Sequence, residues 1–324
     1  MTQETIAQQV SQLLQRQLSE WPEAHDNYVA LEHVLMREIE LGDSLIVLQY
    51  NPLRRQSSSA RLDAASLSAR SCFLCREHQP AQQDMVEWGD GRYKIQLNPY
   101  PIFPRHLTIA AMQHTPQSIA DPRRVSDMIQ LAKDLPDYVV FYNGPKCGAS
   151  APDHMHFQAG TKGYMPLCTE VMNPAFWPEE HQLLSCADGF LAFAQRFGRF
   201  CFFIKTSEPV LAELYFARLQ VAMMMAAGKN EEPMQNVLCW VEDDDCHLLV
   251  FPRRKHRPAC YGTDKEDFLL SPASVDMGGL WTVPEKKDYE RLDADIIQRL
   301  YDELCLDNEN AVAVIDHLLY SEEP

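Results

Sequence analysis

The chain has 324 residues, 46% of them hydrophobic, enough to bury one large core or two ordinary ones. Its 29 basic residues against 46 acidic leave a formal charge of −17, which disfavours an extended nucleic-acid surface, because phosphate contacts need clustered Lys and Arg. Ten cysteines are scattered at ordinary density and only Cys72 and Cys75 are closely spaced, a pattern of free thiols plus one metal or redox pair rather than a disulfide framework.

Ile6, Val10, Leu13, Leu14 and Leu18 recur at helical spacing and predict an amphipathic helix over residues 6–21. This segment has neither a basic start nor a continuous apolar run, so no signal peptide is expected, and nowhere do about 18 apolar residues run together as a membrane span requires. A soluble, cytoplasmic protein is the expectation. "SLIVLQYNP" predicts a strand ended by Pro52, and the Ser-rich "RRQSSSARLDAASLSARS" predicts a surface loop leading to "CFLC". That loop carries Arg54, Arg55 and Arg61, cations suited to an anionic ligand. "RYKIQLNPYPIFPRHLTIAAMQH" predicts two strands joined by a Pro-rich turn. In it Tyr100, Ile102 and Phe103 either line a slot for a nucleotide base or belong to the core. "YVVFYNG" and "HMHFQAG" add two strands around the loop "GPKCGASAPD", which completes an antiparallel sheet.

A second copy of this pattern begins near residue 190. "FCFFIKT" and "NVLCWVED" read as strands, "VLAELYFARLQVAMMMAA" as the helix between them, and "CHLLVFPRRKH" resembles "RHLTIAAMQH" in its order of His, apolar run and His. No second His-x-His-x-Gln exists, so only the first half is expected to keep the chemistry. "YERLDADIIQRLYDEL" predicts a helix that closes the chain, with "SEEP" frayed beyond it.

The chemistry concentrates in "APDHMHFQAG". On an extended strand His154, His156 and Gln158 share one face, while Met155 and Phe157 point to the other. In the preceding loop, Gly144, Gly148 and small neighbours let backbone N–H groups approach a phosphate, and Ser150 adds a hydroxyl. The two-residue gap in "CFLC" lets two thiolates bind one tetrahedral ion, but this is half a site. His78, His106, His114 and His154 are the candidates to complete it. Arg253, Arg254, Lys255 and Arg257 form the densest basic run, read either as a solvated turn or as a fork for a sugar phosphate or nucleotide phosphate. Asn51 and Arg54 are open in the same way.

The segment "FYNGPKCGASAPDHMHFQ" resembles the transferase branch of the histidine-triad superfamily, which holds galactose-1-phosphate uridylyltransferase, diadenosine tetraphosphate phosphorylase and GDP-hexose phosphorylases. The likeness rests on the Asn, Gly-x-Ser and His-x-His-x-Gln arrangement, with Asn143 eleven residues before His154 (154 − 143 = 11). It covers residues 50–160, and "HLLVFPRRKHRPACY" with "SPASVDMGGLWTVP" extends it more loosely. The chain departs from the bacterial uridylyltransferase in having His-Met-His for His-Pro-His.

The resemblance implies an α+β fold of two tandem histidine-triad-like modules, over residues 1–165 and 166–324, each an antiparallel sheet with packed helices. It implies a nucleotidyltransferase in which His156 attacks the α-phosphorus and Gln158 holds a phosphate oxygen or the nucleophile. Asn143, Gly148 and Ser150, with Arg54, Asn98 and Arg253, would bind substrate. Cys72, Cys75, His114 and His154 would hold a structural ion such as zinc, with His106 the substitute for His114. The implied substrates are a nucleotide sugar or dinucleotide and a phosphate or sugar phosphate, with no nucleic acid or membrane and a homodimer as the expected assembly. A nucleotide hydrolase and a non-catalytic nucleotide-binding regulator are the alternatives.

Overall fold

A computed structural model describes residues 4–60, 63–195 and 197–320. The chain opens with helices α1 (Ile6–Glu20) and α2 (Pro22–Leu31), then the hairpin β1 (Leu35–Leu41) and β2 (Ser44–Tyr50). Two short helices follow, α3 (Arg55–Ser58) and α4 (Ala64–Ala69), where a loop was expected. Asp63 creates the second by accepting the Ser66 N–H at 2.9 Å, a cap the Ser-rich composition concealed. Then come β3 (Val86–Trp88), β4 (Tyr93–Leu97), β5 (His106–Ala111), α5 (Pro122–Asp134), β6 (Tyr138–Asn143) and β7 (His156–Thr161).

After α6 (Pro166–Glu170) the sequence of elements repeats: β8 (Gln182–Cys186), β9 (Gly189–Ala194), β10 (Cys201–Thr206), α7 (Pro209–Ala227), β11 (Gln235–Glu242) and β12 (Asp245–Pro252). The chain continues through α8 (Ser274–Met277), β13 (Leu280–Val283), α9 (Lys286–Arg291), α10 (Ala294–Leu304) and α11 (Asn308–Tyr320). The expected closing helix is thus two helices, because Asp293 accepts the Ile296 N–H and starts a new one, and it does not close the chain, since α11 follows it. Residues 321–324, expected to fray, lie outside the described residues.

Ten strands form one antiparallel sheet in the order β3-β4-β5-β7-β6-β11-β12-β10-β9-β8. Read outward from its middle, each half has the same order, and a helix joins the third and fourth strands of each. The two modules therefore share a sheet through the β6–β11 seam, where Asn143 lies opposite Asn236. This topology corrects one detail of the expected repeat. The likeness of "RHLTIAAMQH" to "CHLLVFPRRKH" equates β5 with β12, whereas β12 is the counterpart of β7 and β5 that of β10.

Helices α1, α2, α5, α7 and α11 cover one face of the sheet, where Val140, Tyr142, Phe157, Val237 and Leu248 are buried. α7 is long and apolar enough to cross a membrane by length and composition, although no unbroken apolar run showed it. Here it lies on the sheet, burying Tyr215, Phe216, Leu219 and Met223. On the other face, a small sheet of β1, β2 and β13 packs with α10 over the second module, against Phe203, Trp240 and Leu249. The same face of the first module carries polar residues in register: Lys94 and His156 flank Ala110 in one row, and Gln96, Thr108 and Gln158 form the next.

Candidate active site

β7 begins at His156, so His154 stands on a bend before the strand and does not share its face as the alternation suggested. The bend is what separates the two imidazoles. Met155 and Phe157 turn into the opposite core, as expected, and are fully buried. β6 and β7 part at this end of the sheet, and Gln117 bridges the gap. Its amide donates to the Asn143 and His156 carbonyls at 2.9 and 3.1 Å and accepts the His156 N–H at 2.8 Å. A lone glutamine in "TPQS" carried no signal of this role.

His156 lies almost enclosed, 4% exposed, with Nδ1 2.8 Å from the His154 carbonyl. A carbonyl only accepts, so Nδ1 carries the proton and Nε2 keeps the lone pair. Burial pushes the pKa down to about 4, which makes the ring neutral near pH 7.

Gln158 is oriented by His106. The Ile102 N–H donates to His106 Nδ1 at 3.2 Å, so the proton sits on Nε2, which faces Gln158 Oε1 at 3.0 Å. The glutamine's N–H2 end is therefore left to meet a ligand. His106 is fully buried, and desolvation, followed by the nearby Arg54, pushes its pKa down to about 3. It is absent from the Cys/His cluster, so its expected role as a substitute metal ligand is corrected.

The phosphate-loop candidates divide. Gly148 has φ +89°, and a Cβ there would come within 2.4 Å of the Ala273 Cβ, so the loop closes against α8 only because this residue has no side chain. Asn143 is 5% exposed, and its Oδ1 accepts from the Ser274 N–H, the Ser274 hydroxyl and the Asn236 amide at 2.8, 2.7 and 3.0 Å. Only its amide nitrogen remains for a ligand. Ser150 stands half-buried after the loop.

Arg54 donates to the Tyr100 carbonyl at 2.9 Å, and burial lowers its pKa to about 10 while Asp276 opposes the shift. Asp276 itself is pushed up to about 6 by burial. Asn98 is committed to the turn: its amide reaches Thr108 Oγ1 at 3.1 Å and its Oδ1 takes the Tyr100 N–H at 3.0 Å.

Arg253 is a brace, not a substrate fork. It is 4% exposed and donates to Asn236 Oδ1 at 2.6 Å and to the Pro272, Leu304, Lys255 and His256 carbonyls. The rest of the basic run is also engaged: Arg254 with Asp307, Lys255 with Glu303, and Arg257 with the Ser58 and Ala60 carbonyls. Ile102 and Phe103 are core. Phe103 packs on Gly160, where a Cβ would lie 2.3 Å from its ring, so it lines no slot. Asn236, unmarked in the sequence reading, connects Arg253 to Asn143, and Ser274, equally unmarked, holds the same Asn143 oxygen.

Behind His156, the Cys72, Cys75, His114 and His154 ligand atoms lie within 4.8 Å of one another. Cys72 Sγ and Cys75 Sγ approach His154 Nδ1 at 3.4 and 3.5 Å, and Cys75 Sγ approaches His114 Nδ1 at 3.2 Å. A tetrahedral zinc with ordinary bond lengths spaces S and N by about 3.6 Å, so the set is close to the required size. His154 Nε2 is 2.8 Å from the Ala111 carbonyl, which fixes its proton there and turns a bare Nδ1 toward the thiols. Burial, then the adjacent Cys72 thiol, pushes the Cys75 thiol up to about 11, a repulsion that a divalent cation relieves. The donor set fits such an ion.

Two cavities lie elsewhere. One, of about 360 Å³, lies between Gly42, Arg199 and Tyr301; the other, of about 620 Å³, between Ser59, His256 and Tyr261.

Residues 13–161 match the sequence family described as a domain of unknown function, DUF4922. The yeast Ap4A phosphorylase Apa2 in complex with AMP superposes with a TM-score of 0.56 at 19% identity, over 89% of this chain and 96% of that one. Its complex with Ap4A gives a TM-score of 0.55 at 16% identity, over 89% and 97%. The chain shares the fold of that phosphorylase. Galactose-1-phosphate uridylyltransferase of Halalkalibacterium halodurans is 25% identical over 119 residues, 32% of this chain and 23% of that protein. The matched region thus spans less than a quarter of that curated relative.

Proposed function

We propose that this protein transfers a nucleotidyl group through a covalent bond to His156 Nε2, moving an NMP unit from a nucleotide sugar or dinucleotide to phosphate or a sugar phosphate. The observation that carries this reading is the hydrogen bond from His156 Nδ1 to the His154 carbonyl. It presents Nε2 as a neutral nucleophile and stabilises the positive ring that exists while phosphorus is attached. In the first step the Nε2–P bond forms and the bond from phosphorus to the leaving phosphate breaks. In the second, the acceptor phosphate attacks the same phosphorus and the imidazole leaves neutral, so no proton need be delivered in either step.

Gln158 suits this route. An amide is neither acid nor base near neutral pH, and its oriented N–H2 can donate to the charge that grows on a phosphoryl oxygen. The Gly148 loop and the Asn143 amide add donors, and Arg54 supplies a desolvated cation. Cys72, Cys75, His114 and His154 would hold a zinc ion. When bound, the ion serves as a structural brace for the residue whose carbonyl orients His156. The relatives named above, a phosphorylase and a uridylyltransferase, support the general kind of enzyme.

The test is incubation with UDP-glucose, GDP-mannose, GDP-glucose and diadenosine tetraphosphate, each without acceptor, with phosphate and with a hexose 1-phosphate. Phosphate-dependent release of a nucleoside diphosphate supports the proposal. Monophosphate release without phosphate identifies a hydrolase, and saturable binding without turnover identifies a regulator; either overturns it.

A further inference from the structure

Cys75 belongs to two ligand sets. Besides the inner set with Cys72, His114 and His154, its thiol lies with the Glu77 carboxylate and the His78 ring in an outer set, whose ligand atoms are again all within 4.8 Å of one another. The spacing of the sequence builds the outer one. Cys72, Cys75 and His78 follow at intervals of three, and two successive turns are closed by the Cys75 N–H on the Cys72 carbonyl at 3.1 Å and the His78 N–H on the Cys75 carbonyl at 3.0 Å. In turns this tight, side chains three apart stand one above the other. His78, a sequence candidate for the inner set, is therefore brought over Cys75 instead.

The two sets differ in access and in charge. Cys72 and His154 are buried, Cys75 is half-buried, and Glu77 and His78 are exposed. Lys94, 2% exposed, faces both thiols from the sheet, whereas Glu77 faces the Cys75 thiol and the His154 ring from the outside. An arriving cation is thus repelled on the inner side and attracted on the outer one. Glu77 holds no hydrogen bond or ion pair among the described residues, and His78 donates its Nδ1–H to the Cys72 carbonyl at 3.2 Å, which leaves a lone pair on Nε2.

We infer, resting on the metal role proposed for the inner set, that Cys75, Glu77 and His78 form a loading station through which a divalent ion such as zinc reaches and leaves the inner four ligands. Three donors leave coordination positions to water, so ligands exchange readily there, whereas the inner four close a tetrahedral ion. Cys75 is a ligand in both sets. It releases its proton to solvent when Glu77 and His78 capture the ion; Cys72, releasing its own, then replaces those two together with His114 and His154. Two thiolates against one make the inner set the resting place. Glu77 and His78 accordingly govern how fast the ion comes and goes, and leave unchanged how tightly it is held.

Rapid mixing of the metal-free full chain with cobalt(II), followed by its thiolate absorption, and release of the bound cobalt to a chelator test this. Glu77→Gln/His78→Ala, at two exposed positions, should slow both filling and release by the same factor, at least about tenfold, with one ion per chain and an unchanged Kd. Glu77→Gln alone should give part of the slowing. Unchanged rates in the double variant, a Kd that weakens as filling slows, or a second ion retained by the wild type after dialysis would overturn the inference while leaving the inner set a metal site. A wild type that takes up no ion would overturn both.

Discussion

The two modules share a strand order and differ in what joins the fourth strand to the fifth. In the first, residues 144–155 separate β6 from β7 and hold the Gly148 turn, Asp153 and His154. In the second, β11 and β12 meet through Asp243 and Asp244, both at positive φ, as a two-residue hairpin demands. The faces differ to match. β7 presents His156 and Gln158 beside buried polar rows, whereas β12 presents His247 stacked on Trp240 at 5.2 Å and on Phe203 at 5.8 Å. A histidine on the same topological strand is thus a packed ring in one module and a nucleophile candidate in the other. The loop makes the difference, because it supplies the carbonyl that sets the tautomer.

Exchanging the fates of these two histidines is the sharpest way to break the comparison. His156→Ala should abolish transfer, by roughly 10³-fold or more, with little change in melting temperature. His247→Ala should leave turnover within about twofold while costing about 2–4 kcal/mol of stability, through lost stacking and a cavity. Parallel activity assays and denaturant titrations check both, and equal activity losses would erase the distinction.

Next in size is the brace behind the loop. Cys72→Ser should reduce bound metal, read by elemental analysis, and lower transfer by roughly 10–100-fold, because the ion would act through the His154 backbone. Full activity in a metal-free variant would show that His154 needs no ion to hold its place. His106→Ala should be milder, about tenfold in kcat with KM little changed, since it removes the donor that orients Gln158.

The smallest effect is on stability against pH. Burial lowers His106 to about 3 and His247 to about 4, so both are neutral in the fold but take a proton in the unfolded chain below about 6.5. Their contribution is complete above that pH and is lost as pH falls toward the folded values. Asp276, raised to about 6, acts in reverse: its cost is present above 6 and is relieved on acidification. With His156, likewise lowered to about 4, three groups oppose one, so urea midpoints should fall from pH 7 to pH 5, and His247→Phe should flatten the slope. A midpoint that rises on acidification would contradict the balance.

Much of this was legible in the sequence. The His-x-His-x-Gln segment, the paired cysteines and the short β-branched runs declare the site and most strands because they depend on local spacing. What was illegible depends on partners far along the chain. Arg253 looks like a phosphate fork until Asn236 and the Pro272 carbonyl are beside it, and Gln117 has no role until β6 and β7 part. The bend at His154 was hidden because alternating letters read as a continuous strand, while Met155 N–H in fact bonds to the Thr115 carbonyl.

The most direct test of the central claim is intact-mass analysis of the protein after brief exposure to its nucleotide donor without acceptor, followed by digestion to locate the added mass. The account predicts one NMP per chain on the peptide containing His156, absent in His156→Ala and discharged by phosphate. Turnover with no adduct on that peptide, or turnover that survives His156→Ala, would contradict it.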